Sequence, residues 1–249
     1  MISIITATFN SEKTIGQTLT SVLNQTYQDW ELLICDGGST DNTLKIIDAC
    51  GDTRIKIVSR TDHGIFDAYN KGLSNVSGEI FGTLNSDDHF SNDRILEFIR
   101  DQFQKHDNYD LIYGNVTYFK RGHKEKISRQ WRNNFFKLDN FKLGFMPAHP
   151  TVYMRNKSCL RDVRYNPVYK YAGDFEYLIR IFKTPGLETQ YYDKILVNML
   201  DGGTADGNLK SKLKHWSELH SILKNHFGNG IGIPFIINKV LNRIIEMKK

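Results

Sequence analysis

The first hundred residues alternate between short apolar runs and stretches in which apolar residues recur every three or four positions. The apolar runs predict four buried β-strands, at Ile2 to Ala7, Trp30 to Cys35, Ile55 to Ser59 and Glu79 to Leu84. Helical patterns follow each run, after Ser11, after Thr40 or Asp41, from about Ile65 to Leu73 and from Arg94 to Phe103. This alternation predicts an α/β fold with a mostly parallel central sheet and helices on both faces.

The pattern changes after Tyr109. Short β-like runs surround a single predicted helix, Asp174 to Phe182; these runs are Leu111 to Phe119, Thr151 to Met154 and Glu188 to Leu200. Two further helical patterns follow, roughly Leu209 to Phe227 and Phe235 to Met247. We therefore expect one domain over residues 1–207, with halves at 1–119 and 120–207, and a basic, amphipathic helical extension over 208–249.

Composition excludes several classes of protein. With 249 residues, 40% hydrophobic and 24% charged, the chain is neither disordered nor a membrane bundle. Its net charge of +5 is unevenly distributed: residues 1–119 carry −8, while 120–145 and 208–249 carry +6 each. Two basic patches beside an acidic half suit an anionic lipid surface or a diphosphate-linked ligand better than a nucleic-acid groove, so we expect no nucleic-acid partner.

Cysteine usage and hydropathy suggest a cellular location. The three cysteines are too widely spaced for a zinc cluster, and their odd number argues against a disulfide framework. The sequence starts without a basic leader or cleavage site, and no run approaches the ~20 apolar residues of a transmembrane helix. We expect a cytoplasmic protein, with peripheral attachment to the inner face of the membrane as a further hypothesis.

Polar side chains follow each predicted strand of the first half. They are Thr8 and Asn10, Asp36, Asp62, and Asp87 with Asp88. Ordinary loops are also polar, so no single strand end is decisive. Because ligands of open α/β sheets bind outside the carboxyl ends of the strands, four such ends together predict a binding site.

The segment Asn85-Ser86-Asp87-Asp88 has the composition of a cation site. Adjacent carboxylates are costly to bury unpaired, whereas they are good ligands for a divalent cation that also binds phosphate oxygens. Asp-rich turns and helix caps look the same, and Asp88 or Ser91 could instead start the following helix.

No phosphate-binding loop of the G-x-x-x-x-G-K-[ST] type occurs, and Gly37-Gly38 does not form a G-x-G-x-x-G fingerprint. A bound nucleotide would therefore need a cation and a few backbone or lysine contacts for its phosphates. Lys71 is the candidate lysine, although a solvated surface lysine explains it as well.

Several blocks of the sequence together resemble glycosyltransferase family 2. The blocks run from Ile4 to Asn10, Asp36 to Thr43, Asp62 to Gly72 and Gly78 to Asp88, in the order and spacing of the family. Further matches extend the resemblance to about residue 205: His149-Pro150-Thr151, Gly173-Asp174-Phe175-Glu176 and Gly202-Gly203-Thr204. Each block is degenerate, but the ordered set is specific.

The resemblance implies a Rossmann-like GT-A fold and transfer of a hexosyl or N-acetylhexosaminyl group with inversion at the anomeric carbon. The donor would be a nucleotide-diphosphate sugar, bound by residues 1–119 with Mn²⁺ or Mg²⁺. A UDP-sugar suits Asp36 best, although guanine and thymine donors stay open. The acceptor, bound by residues 120–207, would be a glycan or a lipid-diphosphate-linked glycan of the cell surface.

The resemblance also assigns residues to the donor. Ala7 and Phe9 would line the nucleotide pocket, Asp36 would hydrogen-bond the base, and Asp62 would lie near the base or ribose. Lys71 would approach the diphosphate.

The metal motif departs from the family pattern. Asn85 would belong to the donor-binding residues, Asp87 would contact the ribose or the donor sugar, and Asp88 would bind the cation. A strict D-x-D pattern places an acid where this chain has Asn85, so the roles of the two acids that follow could be exchanged, with Asp88 the better metal candidate.

On the acceptor side, Asp174 falls at the position of the catalytic base, which would take the proton of the attacking hydroxyl. Its alternative role is to cap the helix that it opens. Glu176 is the second candidate base. It would point about 200° away along the helix, so only one of the two can face the sugar.

Three further residues have ambiguous patterns. His149, in an extended segment before Pro150, could touch the donor diphosphate or the acceptor, or be structural. Gly202 and Gly203 would suit a mobile flap over the site, and an ordinary turn explains them equally well.

The predicted C-terminal helix is amphipathic and follows Pro234, with Lys239 and Arg243 on its polar face. It could pack on the catalytic domain or lie on an anionic membrane surface.

Two other functions are compatible with parts of the pattern. A sugar-nucleotide nucleotidyltransferase would need a Gly-rich, Arg- and Lys-containing loop after the first strand, and Thr8-Phe9-Asn10-Ser11 is not one. An inactive glycan- or nucleotide-binding module would bind a nucleotide without transferring a sugar.

Overall fold

A single β-sheet organises the part of the chain that the computed structural model describes, residues 1–120, 123–132, 136–201, 209–228 and 230–238. Among these residues the sheet has nine strands, in the order β3-β2-β1-β4-β8-β6-β9-β5, with β7 paired to β6. The strands are β1 Ile2–Thr8, β2 Trp30–Asp36, β3 Ile55–Ser59, β4 Ile80–Thr83, β5 His89–Phe90, β6 Leu111–Lys120, β7 His123–Trp131, β8 Tyr153–Arg155 and β9 Thr189–Leu200.

Helices surround this sheet. They are α1 Ile15–Leu23, α2 Thr43–Asp48, α3 Ile65–Leu73, α4 Ile95–Lys105, α5 Ser158–Arg161, α6 Gly173–Phe182 and α7 Leu209–Phe227, with 3₁₀ turns at Leu138–Leu143 and His149–Thr151. Residues 233–238 are also helical.

The first half of the sheet is parallel. β1 lies between β2 and β4, parallel to both, with Thr8 opposite Asp36, and β3 is parallel to β2. The carboxyl ends of these strands therefore meet at one edge. The predicted α/β class and strand-helix alternation are confirmed.

The second half of the sheet is mixed. β8 joins β4 and β6 antiparallel, whereas β9 runs parallel to β6. The hydrophobic pattern did not predict β7, because its sequence is largely polar and it pairs only with β6, at the side of the sheet. The two-residue β5 is too short to leave a pattern.

Both faces of the parallel strands are buried, which explains their unbroken apolar runs. In β1, Ile5 and Ala7 face one apolar cluster, while Ile2 and Ile4 face the other. Each face is then covered by helices.

The helix α7 packs through one face on the rest of the domain. Its buried residues Leu219, Ile222 and Leu223 belong to the same apolar cluster as Phe175 and Ile179 of α6. The structure thus has the predicted helix at Leu209–Phe227 and packs it against the domain. The second predicted helix, Phe235 to Met247, is described only as far as residue 238.

A buried carboxylate fastens the amino end of β2. Glu31 accepts hydrogen bonds from the Ser3 hydroxyl at 2.5 Å, the Ser77 backbone N–H at 2.9 Å and the Lys56 Nζ at 2.8 Å. Burial raises the pKa of Glu31, but these donors outweigh burial and hold it at about 2. Because this pKa lies below the unfolded value, Glu31 stabilises the fold above about pH 4.5, and the contribution is lost as the pH falls towards 2.

We expect Glu31→Gln to lower the free energy of unfolding at pH 7 by about 2 kcal/mol, since an amide is a weaker acceptor for Lys56 and its NH₂ group faces other donors. The loss of unfolding free energy relative to the parent protein should be smaller at pH 3 than at pH 7, because the contribution of Glu31 is already partly lost there. Urea denaturation at both pH values measures it, with the exposed Glu79→Gln as the control. An equal deficit at both pH values would contradict the linkage.

Candidate functional site: an acidic cleft at the sheet edge

A cleft of about 1200 Å³ opens at the carboxyl edge of the parallel strands. Its walls come from the loops after β1, β2, β3 and β4, from residues 167–171, and from the start of α6. The sheet therefore brings together the strand ends in which the sequence concentrates polar groups.

The loop after β1 forms one wall. Ala7 is buried at its base, whereas the ring of Phe9 is 61% exposed in the cleft. Asn10 has a positive φ of 49°, a conformation that asparagine tolerates better than most residues. Its side chain accepts a hydrogen bond from the Thr40 N–H at 2.9 Å, and its own N–H donates to the Ser39 hydroxyl at 2.9 Å. The loops after β1 and β2 are thereby tied together.

Asp36 is fully buried at the end of β2. Its carboxylate accepts the N–H groups of Gly38 and Ser39 at 2.9 Å each and the Ser39 hydroxyl at 2.5 Å. Gly37 of this loop lines the cleft. In this conformation Asp36 shapes the loop, and its contact with a nucleotide base stays a prediction.

Asp62 and Lys71, the next two candidate donor-binding residues, differ in their position relative to the cleft. Asp62 lines the cleft and packs so closely on Gly37 that a Cβ there would lie 2.8 Å from its carboxylate. Lys71, on α3, is held outside the lining by an ion pair with Asp67 at 2.9 Å and a hydrogen bond to the Thr61 carbonyl at 2.5 Å. The structure brings Asp62 into the site and leaves Lys71 beside it.

The segment after β4 holds a buried acid. Asp88 is 1% exposed at the base of the cleft, and its Oδ2 accepts the side-chain amide N–H of Asn85 at 2.6 Å. The buried hydroxyl of Tyr69 donates to the Asn85 carbonyl, and the Leu200 N–H also reaches Asp88. Burial, with the charge of Asp87 second, raises the pKa of Asp88 well above its usual range. The Asn85 amide thus donates a hydrogen bond to Asp88, which an ionised carboxylate at position 85 could not do.

The donor groups of this segment fit a divalent cation shared with a phosphate ligand. Asp87 and Asp88 both line the cleft, and no group of three or more His, Cys, Asp or Glu side chains able to hold a metal occurs within the described ranges. Magnesium-type sites commonly use one or two carboxylates and complete their coordination with substrate phosphates and water. A cation would also offset the electrostatic repulsion between the two neighbouring carboxylates.

Asp174 lies in the first turn of α6 and lines the same cleft. Its Oδ1 accepts the N–H of Phe175 at 2.8 Å. The preceding Gly173 touches α3, since a Cβ there would lie 2.5 Å from the Phe66 ring. The start of α6 is therefore packed directly on the helix that carries Tyr69.

Glu176 lies on the opposite side of α6. It is buried and forms an ion pair with Arg180, at 2.7 Å and 2.8 Å, while His226 of α7 approaches it at 3.2 Å. The two acids of α6 are thus separated, Asp174 towards the cleft and Glu176 towards α7.

His149 lines the inner part of the cleft and is largely buried. Its Nε2 lies 2.7 Å from the Tyr165 hydroxyl and its Nδ1 lies 3.3 Å from the Thr83 hydroxyl. Burial lowers its pKa, against the opposing charge of Asp174. Gly202 and Gly203 lie outside the described residues.

The structure adds tyrosines that the sequence did not single out. Tyr69 lines the cleft, and its ring is tilted against that of Tyr165 with centroids 5.1 Å apart. Tyr165 in turn stacks on Tyr177 at 3.8 Å. Tyr69 could have been found, because it stands three residues after Phe66 on the same helical face. Tyr165 precedes an irregular segment whose sequence has no periodicity.

Solved structures of known proteins share this fold. TarS of S. aureus, residues 1–349 in complex with UDP-GlcNAc, aligns with a TM-score of 0.69 over 95% of this chain and 69% of that one, at 20% identity. The mannosyltransferase PcManGT of Pyrobaculum calidifontis, in complex with GDP-Man and Mn²⁺, aligns with a TM-score of 0.64 over 98% and 70%, at 14% identity. The fold of this chain is therefore GT-A-like.

Residues 3–163 match the family model "Glycosyl transferase family 2", and the chain belongs to that family. It is 28% identical over 215 residues to a PGL/p-HBAD biosynthesis glycosyltransferase of Mycobacterium bovis, covering 85% of this chain and 81% of that protein. It is also 38% identical over 116 residues to the UDP-Glc:alpha-D-GlcNAc-diphosphoundecaprenol beta-1,3-glucosyltransferase WfgD of Escherichia coli, covering 46% and 45%. The family resemblance noted in the sequence is confirmed.

The contact between Tyr69 and Asn85 can be tested by removing one hydroxyl. We expect Tyr69→Phe to lower the free energy of unfolding by about 1 kcal/mol, because the half-buried side-chain carbonyl of Asn85 loses its donor. Urea denaturation measures this loss. The control is Tyr27→Phe, whose hydroxyl meets Asp29 at the surface; equal effects of the two substitutions would contradict the role of Tyr69.

Proposed function

We propose that the protein is an inverting glycosyltransferase that moves a hexosyl or N-acetylhexosaminyl group from a UDP-sugar to a glycan or lipid-diphosphate-linked acceptor in the synthesis of cell-surface polysaccharide. One observation carries the proposal: the buried Asp88 and the helix-opening Asp174 line the same cleft. Asp88 is suited to hold a cation against the leaving diphosphate. Asp174 is suited to take the proton of the attacking hydroxyl.

The nucleotide would occupy the wall built by the loops after β1, β2 and β3. The exposed Phe9 ring offers a flat apolar surface for a base, and Asp62 offers an acceptor for base or ribose. Thr8 also belongs to this wall, and its buried hydroxyl has no hydrogen-bond partner among the described residues. UDP-GlcNAc in TarS and the UDP-Glc donor of WfgD support a uridine nucleotide.

Asp88, with Asp87 beside it, would hold Mn²⁺ or Mg²⁺ against the diphosphate. The cation would neutralise charge on the leaving group when bound. Asn85 holds the Asp88 carboxylate in place through its amide and leaves the cation to the two acids. The Mn²⁺ of PcManGT supports this assignment.

Asp174 would be the general base. The acceptor oxygen forms a bond to the anomeric carbon while the bond from that carbon to the diphosphate oxygen breaks, and Asp174 takes the hydroxyl proton. Attack opposite the leaving group inverts the carbon. Glu176 has no part in this step, because its carboxylate is paired with Arg180 on the far side of α6.

The decisive experiment incubates the protein with Mn²⁺ and a panel of sugar nucleotides, and follows slow hydrolysis and transfer to lipid-diphosphate-linked glycans. We expect one or two UDP-sugars to be turned over. Asp88→Asn should lose metal-dependent turnover, and Asp174→Asn should keep donor binding while transfer falls about 10²- to 10⁴-fold.

The exposed Asp48→Asn on α2 is the control for these two variants. Full transfer activity in both Asp88→Asn and Asp174→Asn would refute the site assignment. Binding of UDP without any turnover would favour an inactive binding module. Formation of a sugar nucleotide from a nucleoside triphosphate and a sugar phosphate would favour a nucleotidyltransferase.

We infer further that α7 and the helix after it rest on an anionic membrane surface. No helix in the described part of the chain is long and apolar enough to cross a bilayer. Large apolar side chains that are 37% to 74% exposed gather on these two segments: Leu209, Leu213, Trp216, Ile233, Ile236 and Ile237. Lys210, Lys212 and Lys214 interleave with them, the composition of an interfacial surface.

This surface predicts that the full chain sediments with vesicles rich in phosphatidylglycerol. Replacing Ile233, Ile236 and Ile237 together by serine should reduce the bound fraction severalfold, because the apolar contribution is lost while the lysines stay. Ile127→Ser, an exposed apolar position on β7, is the control. Undiminished sedimentation of the triple variant would contradict the inference.

A further inference from the structure

An acidic side chain of α7 binds the backbone immediately before α6. The Glu218 carboxylate accepts three N–H groups, that of Lys170 at 2.9 Å, that of Tyr171 at 2.8 Å and that of Ala172 at 2.9 Å. Ala172 is the residue that precedes the helix, and Asp174 follows two residues later. Glu218 therefore binds the backbone next to the proposed base, Asp174.

The local sequence cannot supply this interaction. Helix starts are normally satisfied by a Ser, Thr, Asn or Asp side chain at the residue before the helix, and α6 has Ala172 there with no side-chain cap. Glu218 does not replace such a cap, because it binds the N–H groups of the three residues before the helix. Its negative charge is nevertheless favourable at a helix amino end. Its sequence separation from Ala172 is 46 residues, so it acts only through the tertiary fold.

The backbone segment that Glu218 binds, residues 170–172, borders the cleft. Tyr169, Lys170 and Tyr171 line the cleft along with Asp174. On its other side the segment is held by Gly173 against the Phe66 ring. The start of α6 thus lies between two supports, an aromatic ring of α3 and the carboxylate of α7.

We propose that Glu218 is a positioning residue, which holds Asp174 and the wall at 169–171 in register with the acceptor. This proposal rests on the proposed function, with Asp174 as the base. It also gives the helical extension a role in transfer, since α7 holds the backbone of a segment that lines the cleft. A misplacement of about 1 Å in a reacting group is enough to cost up to about 100-fold in rate.

The docking of α7 does not depend on Glu218. Leu219, Ile222 and Leu223 are buried in the shared core, and His226 contacts Glu176 near the far end of the helix. Removing the Glu218 carboxylate should consequently release the 170–172 backbone while α7 stays in place, which separates positioning from folding.

The test compares Glu218→Ala and Glu218→Gln with the parent and with Ser221→Ala, an exposed position on the same helix. We expect Glu218→Ala to reduce kcat for transfer about 10-fold or more and to raise KM for the acceptor, because the wall and the base lose their register. Donor affinity by calorimetry should stay within twofold. Glu218→Gln should recover part of kcat, since its one amide oxygen still accepts an N–H group.

Two readouts distinguish positioning from a general structural effect. Hydrogen exchange at the amides of 170–172 should accelerate in Glu218→Ala and not in Ser221→Ala. In an Asp174→Asn background, Glu218→Ala should cause much less further loss of kcat, because its effect acts through Asp174.

A kcat within twofold of the parent in Glu218→Ala, or an equal loss in the Asp174→Asn background, would overturn the proposal. So would a loss of donor affinity in parallel with kcat. If the parent transfers no sugar from any donor, the proposed function fails, whereas slow amide exchange at 170–172 that depends on Glu218 would still establish the contact itself.

Discussion

The parallel pairing of β1 with β2 and β4 is the constraint on which the site depends. It brings the carboxyl ends of the strands to one edge, and with them acids that are far apart in the chain. Crowding these charges in a partly buried cleft is unfavourable unless they find donors or a cation. Asp36 meets this requirement with the N–H groups of its own loop, and Asp88 meets part of it with Asn85.

Asn85 is a neutral residue at the position where a strict D-x-D pattern has an acid. An acid at this position would add a third carboxylate beside Asp87 and Asp88, whereas the amide donates to Asp88 and receives a hydrogen bond from Tyr69. The departure from a strict D-x-D pattern replaces a charge with a fixed hydrogen-bond donor to Asp88.

Local pattern was sufficient for much of the fold and part of the site. Periodicity predicted the four parallel strands β1 to β4 and the helices α1 to α4, because apolar residues recur at regular spacing along each of them. It failed for β7, whose polar sequence pairs at the side of the sheet, and could not show that Lys71 is held outside the cleft by Asp67. Side-chain pairing of this kind depends on neighbours that no short window contains.

The sequence by itself determined the α/β class, the family, the acids at the strand ends and the amphipathic character of α7, since each follows from local composition and spacing. Only the tertiary structure decided which acids share the cleft. It turned Asp174 rather than Glu176 towards the cleft, buried Asp88 beside Asn85, and brought Glu218 of α7 to the start of α6. These outcomes depend on contacts between distant segments, which the packing of helices on the sheet creates.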